Sequence, residues 1–194
     1  AEQTSIEPQC ADAVPLLEAA PQAGHANAQL LMGILIITDR IIDPEQKPVE
    51  PASADEEKWQ QAQQWFTAAA KQNHPEAQFR LGMIYLQGAV GQANNGLALQ
   101  WLMSSAFQGY APAEFALGNL YEQGHIVEKN MAEAVKWFER AAKQGLPAAQ
   151  YCLGTLYETG IGVKKNRTEA HRWYKLSADQ GYKEAEVALK KFEK

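Results

Sequence analysis

Cysteine is almost absent from this chain of 194 residues, which contains only Cys10 and Cys152. Two cysteines cannot form the disulfide framework that holds many small secreted proteins together. Long apolar runs are absent too, because the longest, LLMGILII at 30–37, is far shorter than the roughly 20 residues of a membrane-spanning helix. We therefore expect a soluble protein that does not insert into a membrane.

Catalytic and metal-binding motifs are also missing. The sequence contains no Gly-x-Ser-x-Gly, no phosphate-binding glycine loop, no His-Glu-x-x-His and no Cys-x-x-Cys. Its histidines, none of which pairs with another at metal-ligand spacing, are His25, His74, His125 and His171. The sequence therefore predicts a non-catalytic protein without a cofactor and without a metal site.

Acidic residues outnumber basic ones and give a formal net charge of −5. This charge argues against general affinity for nucleic acid. Residues 1–127 carry 5 basic and 14 acidic side chains, whereas residues 128–194 carry 13 and 9. A charge-matched protein partner could use this asymmetry, although solvated helix faces are its ordinary explanation.

The chain begins with Ala1 rather than methionine, in the stretch AEQTS. Such a beginning is typical of a mature chain after a signal peptide has been cleaved. We therefore expect a periplasmic or secreted protein, with a cytoplasmic location as the alternative.

One stretch of twelve residues recurs three times at an interval of 36: AQFRLGMIYLQG from Ala77, AEFALGNLYEQG from Ala113 and AQYCLGTLYETG from Ala149. Other residues keep the same interval, namely Trp65, Trp101, Trp137 and Trp173; Gly82, Gly118 and Gly154; Tyr85, Tyr121 and Tyr157. Repetition at a fixed period within one chain is the signature of a solenoid, in which one structural unit is stacked.

Each unit contains two helical patterns. Apolar spacing predicts a first helix over about 75–87, 111–123 and 147–159, and a second over about 94–108, 130–144 and 166–180. Asn130 with Glu133, and Asn166 with Glu169, form N-x-x-E versions of the capping box at the start of the second helix. The residues suited to a left-handed conformation at its end are Asn73, Gly109, Gly145 and Gly181.

A glycine stands in the middle of each first helix, where it costs about 1 kcal/mol relative to alanine. We interpret Gly82, Gly118 and Gly154 as positions where the second helix must approach closely. The sequence predicts that the tryptophan and the Ala-Ala pair of the second helix lie opposite each glycine.

The pattern A-x-x-x-L-G-x-x-Y-x-x-G, followed by A-x-x-W and an Ala-Ala pair, resembles the Sel-1-like repeat, a relative of the tetratricopeptide repeat. The resemblance covers residues 75–181. It implies an all-α fold, a right-handed α/α superhelical solenoid of about four helix pairs with a C-terminal capping helix.

We expect a single solenoid domain over residues 1–194. Its predicted segments are a degenerate N-terminal unit at 1–72, regular repeats at 73–108, 109–144 and 145–181, and a capping helix at 182–194. Within the first unit, residues 9–20 predict a short starting helix, and residues near 40–54 form a proline-rich loop. Ser53 with Glu56 offers a capping box for the helix that follows.

In this family the first helices line the concave face, so the resemblance implies a partner-binding site there. The residues expected to project from it are Phe79, Met83, Leu86, Phe115, Asn119, Glu122, Tyr151, Thr155 and Glu158. Their aromatic members suit protein recognition, because they bury large areas in few side chains. The alternative is that this aromatic ladder packs between adjacent first helices.

The resemblance implies a non-catalytic scaffold or adaptor that binds a protein partner, for example a component of an envelope complex. A narrower alternative is a periplasmic immunity protein that neutralises a toxic secreted effector, such as a phospholipase of a type VI secretion system. A third possibility, from a different class, is a binder of peptidoglycan or another small ligand. The scattered polar residues of the first helices give this third possibility little support.

Overall fold

The computed structural model describes residues 24–41 and 53–192, which form α-helices and no strand. The helices are α1 (Ala26–Ile41), α2 (Ser53–Lys71), α3 (Pro75–Gln87), α4 (Asn95–Phe107), α5 (Ala111–Gln123), α6 (Met131–Lys143), α7 (Pro147–Thr159), α8 (Arg167–Ala178) and α9 (Lys183–Phe192). This confirms the all-α repeat fold. The predicted starting helix, Cys10 and most of the proline-rich loop lie outside the described residues.

Local signals set the ends of the helices where the sequence predicts them. Proline stands in the first turn of α3, α5 and α7, where its missing N–H does no harm. The predicted left-handed residues between a second helix and the next first helix all have positive φ, at 62°, 82°, 91° and 80° for Asn73, Gly109, Gly145 and Gly181. None of the described helices combines the length and apolar character that crossing a bilayer requires.

The capping boxes are half formed. The Asn130 side chain accepts a hydrogen bond from the Glu133 N–H, and the Asn166 side chain accepts from that of Glu169, as predicted. The return bond from the glutamate is replaced, since the Asn130 N–H donates to the backbone carbonyl of Tyr121 at 2.9 Å. The loop between the two helices of a repeat folds back onto the first helix and supplies this acceptor.

The described residues divide into two compact units, one ending at Trp101 and the other beginning at Leu102, so the division falls within α4. In the first unit, α1, α2 and α3 enclose a core around Phe66, Leu81 and Ile84. In the second, α6, α7 and α8 enclose a core around Phe138 and Leu153. Each core is built from the faces that the apolar periodicity predicts.

The mid-helix glycines allow close approach, but the prediction of what lies opposite them was wrong. A Cβ on Gly118 would lie 2.5 Å from the Phe138 ring, and one on Gly154 would lie 2.7 Å from the Tyr174 ring. Gly33 has the same relation to Phe66. In each case the contact is the aromatic residue directly after the tryptophan position. Trp137 and Trp173 are buried elsewhere in the array, while Trp65 and Trp101 are half-buried.

A buried amide links neighbouring helices at a second repeated position. Gln150 donates from Nε2 to the Ala142 carbonyl at 3.2 Å and accepts from Gln180 Nε2 at 2.8 Å. Gln78 donates in the same way to the Ala70 carbonyl at 3.2 Å. These bonds satisfy carbonyls at the end of the preceding helix, which its own turns leave without a partner.

Candidate functional site

The predicted face in the first unit is formed by α3. Phe79, Met83 and Leu86 lie four and three residues apart, so they share one side of the helix, and all three are half-buried. Next to them, Arg80 forms an ion pair with Glu76 at 2.6 Å and lies 6.0 Å from the Phe66 ring centroid. The α3 face therefore presents mainly apolar surface with its neighbouring charges paired.

The predicted face in the second unit is formed by α5 and α7. Phe115, Asn119 and Glu122 on α5 are half-buried. The Phe115 ring packs against Phe138 of α6, with centroids 5.6 Å apart. Phe115 therefore packs partly into the core of its own helix pair, and the rest of its ring stays accessible to solvent.

Tyr151 on α7 lies in a tyrosine cluster. Its ring centroid is 5.7 Å from that of Tyr174 on α8 and 5.6 Å from that of Tyr182, which precedes α9. The Tyr174 hydroxyl is 3.1 Å from Thr155 Oγ1 and donates to Glu158 Oε2 at 2.7 Å. The structure thus brings together the three predicted residues of α7.

Sequence reasoning missed Tyr174 and Tyr182 as parts of this face. Tyr174 follows the tryptophan of its repeat, and Tyr182 follows the left-handed Gly181, so both lie outside the first helices from which the predicted face was drawn. The repeat pattern could have identified them. The residues 36 positions earlier are Phe138 and Leu146, and both also pack in the core of the second unit. The relevant contacts join residues of α7, of α8 and of the turn before α9.

Burial and nearby carboxylates raise the pKa values of two groups near this face. Burial, with a smaller contribution from the negative charge of Glu122, raises the pKa of the Cys152 thiol to about 11. Burial also raises the pKa of Tyr174, and the Glu158 carboxylate adds to that shift. Both groups therefore stay protonated at neutral pH.

A charged contact lies behind this face, where Glu114 replaces the repeated glutamine. Glu114 is only 1% exposed and pairs with Arg140 Nε at 2.8 Å. Gln144 Nε2 donates to its other oxygen at 2.6 Å. Arg140 also donates to the Ala106 carbonyl and lies over the Trp137 ring at 4.7 Å. The Glu114 carboxylate cannot donate a hydrogen bond to the Ala106 carbonyl, as Gln150 does to Ala142, so Arg140 supplies the donor instead. The arrangement is therefore structural.

Metal-binding groups do not come together in the part of the chain that the structure describes, where no three His, Cys, Asp or Glu side chains could hold an ion. His74 caps α3 by accepting from the Ala77 N–H, and its other ring nitrogen is 2.8 Å from Asn27 Oδ1. His171 packs against Phe192 at 6.0 Å. These two histidines therefore have structural contacts.

Comparisons with solved structures give several similar proteins. A Sel1 repeat protein from Oxalobacter formigenes is 39% identical, with a TM-score of 0.63 over 65% of this chain and 95% of that one. The protein c5321, described as a protective antigen of uropathogenic Escherichia coli with an SLR fold, is 26% identical over 91% of this chain, with a TM-score of 0.76. The immunity protein Pa5087 from Pseudomonas aeruginosa is 26% identical over 89%, with a TM-score of 0.56.

The chain spans 35% of the length of c5321 and 59% of the length of Pa5087. The comparison with curated proteins finds no match. A family model described as Sel1 repeat matches four consecutive segments, at 53–74, 75–110, 111–146 and 147–182. These matches cover most of the sequence and follow the helix pairs of the structure, so the chain belongs to the Sel1 repeat family.

Proposed function

We propose that this protein is an interaction scaffold that binds a protein partner through the face of its first helices, the predicted concave face. Sel1 repeat proteins are generally protein-interaction scaffolds and typically non-catalytic. The observation that supports this face is the recurrence of half-buried aromatic rings at one repeat position, in Phe79, Phe115 and Tyr151. Rings with accessible surface in a fixed orientation bind partners at a low entropic cost.

Replacing these aromatic residues would not test the proposal cleanly, because Phe115 and Tyr151 also pack against second helices. Asn119 is a better position. It lies one turn after Phe115, is half-buried, and corresponds to Met83 and Thr155 in other repeats, so side chains of different chemistry fit there. Arginine at this position would place a long charged side chain on the proposed contact face.

The test compares Asn119→Arg with Ala132→Arg, which introduces the same residue at an exposed position of the second helix α6. Tagged full-length proteins would be incubated with envelope and cytosolic fractions of the native bacterium, and the bound proteins quantified by mass spectrometry. We expect one stoichiometric partner to be retained by the wild type and by Ala132→Arg and lost by Asn119→Arg. Circular dichroism would verify that both variants are folded.

Loss of the partner with Ala132→Arg but not with Asn119→Arg would refute the proposed face. If no protein bound stoichiometrically from either fraction, the scaffold function itself would be contradicted. The fraction that yields the partner also tests location. We propose export to the periplasm, and a partner retained only from the cytosolic fraction would contradict it.

A second candidate, supported by the similarity to the immunity protein Pa5087, is neutralisation of a toxic effector in the periplasm. Its test is specific, because an immunity protein must bind one effector tightly in a 1:1 complex. An effector gene beside the gene for this protein would be expressed in the periplasm of a host with and without the full chain. Rescue of growth by the wild type and not by Asn119→Arg would support this role, and equal toxicity would exclude it for that effector.

A further inference from the structure

Charge is segregated between the two helix layers of the second unit. The first helices α5 and α7 contain three carboxylates and no lysine or arginine. The second helices α6 and α8 contain six basic and three acidic side chains. A partner that contacts the first-helix layer therefore meets negative charge, although the basic residues of the unit outnumber the acidic ones.

Two of the three carboxylates in this layer keep their charge uncompensated. Glu114 is buried and paired with Arg140, whereas Glu122 and Glu158 have no ion pair with any described residue. Glu158 accepts a hydrogen bond from the neutral Tyr174 hydroxyl, which orients the carboxylate without neutralising it. Glu122 and Glu158 occupy the same repeat position on neighbouring first helices.

Aromatic rings lie on the same helix faces as these carboxylates, two helical turns away. Tyr151 and Glu158 share one face of α7. The Tyr151 ring packs against the rings of Tyr174 and Tyr182, and Tyr174 also contacts Glu158 through its hydroxyl. Phe115 occupies the same position on α5 relative to Glu122. An aromatic ring and a carboxylate on one helix face suit a basic segment, because the ring packs against apolar stems while the carboxylate accepts hydrogen bonds from a lysine or arginine.

We propose that the face formed by Phe115, Tyr151, Glu122 and Glu158 binds a basic segment of its protein partner. This inference rests on the proposed scaffold function and specifies the chemistry of the partner. Because the two carboxylates lie on different helices, the segment must carry more than one basic residue to contact both of them. An extended chain rises about 3.3 Å per residue, so basic residues at every third position lie about 10 Å apart.

The test uses peptides of defined sequence and the full-length protein labelled with ¹⁵N. One peptide repeats Arg-Ser-Leu three times, and its matched control repeats Glu-Ser-Leu three times. We expect the basic peptide to shift backbone amide signals of α5 and α7 and the acidic peptide to leave them unchanged. The affinity of the basic peptide should fall as sodium chloride is raised from about 20 to about 300 mM, because salt screens exposed charges.

Two double variants separate this face from general electrostatics. Glu122→Gln with Glu158→Gln should weaken binding of the basic peptide by about tenfold, since two exposed ion pairs are lost. Glu133→Gln with Glu169→Gln removes two carboxylates at matching positions of α6 and α8 and should leave binding nearly unchanged. The glutamine at 158 can still accept from the Tyr174 hydroxyl, so the fold should be retained.

Equal weakening by the two double variants, shifts confined to α6 and α8, or no binding of the basic peptide at low salt would overturn the inference. These results are distinguishable from failure of the scaffold function. A native partner that is lost with Asn119→Arg but is indifferent to Glu122→Gln with Glu158→Gln would leave the binding face standing and refute only its preference for basic segments.

Discussion

At the scale of single residues, the glycine of each first helix sets how closely two helices approach. The space that a Cβ would need at Gly118 is filled by the Phe138 ring, at 2.5 Å. No heavy atom of a side chain normally lies that close, so the ring or the helix would have to move. Helix propensity alone favours alanine over glycine by about 1 kcal/mol, and this contact must outweigh that preference.

We predict that Gly118→Ala destabilises the protein by about 1–3 kcal/mol through overpacking. Gly96→Ala is the matched control, because a Cβ there meets only Asn94 Oδ1 at 3.6 Å, and it should be neutral or stabilising by up to about 1 kcal/mol. Urea unfolding followed by circular dichroism measures both. Similar free energies of unfolding for the two variants would show that contact with the Phe138 ring does not explain the glycine at position 118.

At the scale of elements, the sequence predicted the helices well because periodicity, prolines and caps are local signals. It assigned the wrong residue to face the glycine, because neighbouring positions on a helix point about 100° apart. Only the packing of α6 against α5 shows that Phe138, not Trp137, points at Gly118. The Glu114–Arg140 pair was missed because its partners lie 26 residues apart on different helices.

The Glu114–Arg140 pair gives a prediction about how α5 and α6 are joined. Arg140→Leu should cost about 1–3 kcal/mol, because a buried carboxylate loses its charged hydrogen-bond donor. Adding Glu114→Gln should recover most of that loss, since the double variant reproduces the Gln150 and Leu176 of the next repeat. The glutamine could then donate to the Ala106 carbonyl as Gln150 does to Ala142.

Urea unfolding of the wild type, both single variants and the double variant forms a complete cycle for this pair. A coupling free energy of about 1–2 kcal/mol is expected, because the two residues share one buried contact. Additive losses would show that the two side chains act independently, and the ion pair would then contribute nothing beyond its separate parts.

At the scale of the whole molecule, the free energy of unfolding should fall at high pH. Burial raises the pKa of four described groups, Cys152, Tyr157, Tyr174 and Tyr182. Each group is neutral when protonated, so the folded chain retains protons that the unfolded chain releases. Above the usual thiol pKa of 9.0, the unfolded state binds fewer protons, and the free energy of unfolding falls as pH rises.

We therefore predict that the free energy of unfolding declines from about pH 9 through about 11, where Cys152 ionises in the folded state, and beyond as Tyr174 does. Cys152→Ala with Tyr174→Phe installs the residues of the preceding repeat, Ala116 and Phe138. This variant should show a shallower decline, because two of the four groups can no longer ionise on unfolding. Urea unfolding at pH values of about 7.5, 9 and 10.5 measures how steeply the free energy of unfolding falls with pH in the wild type and in the variant. Identical slopes would mean that these buried groups do not control alkaline stability.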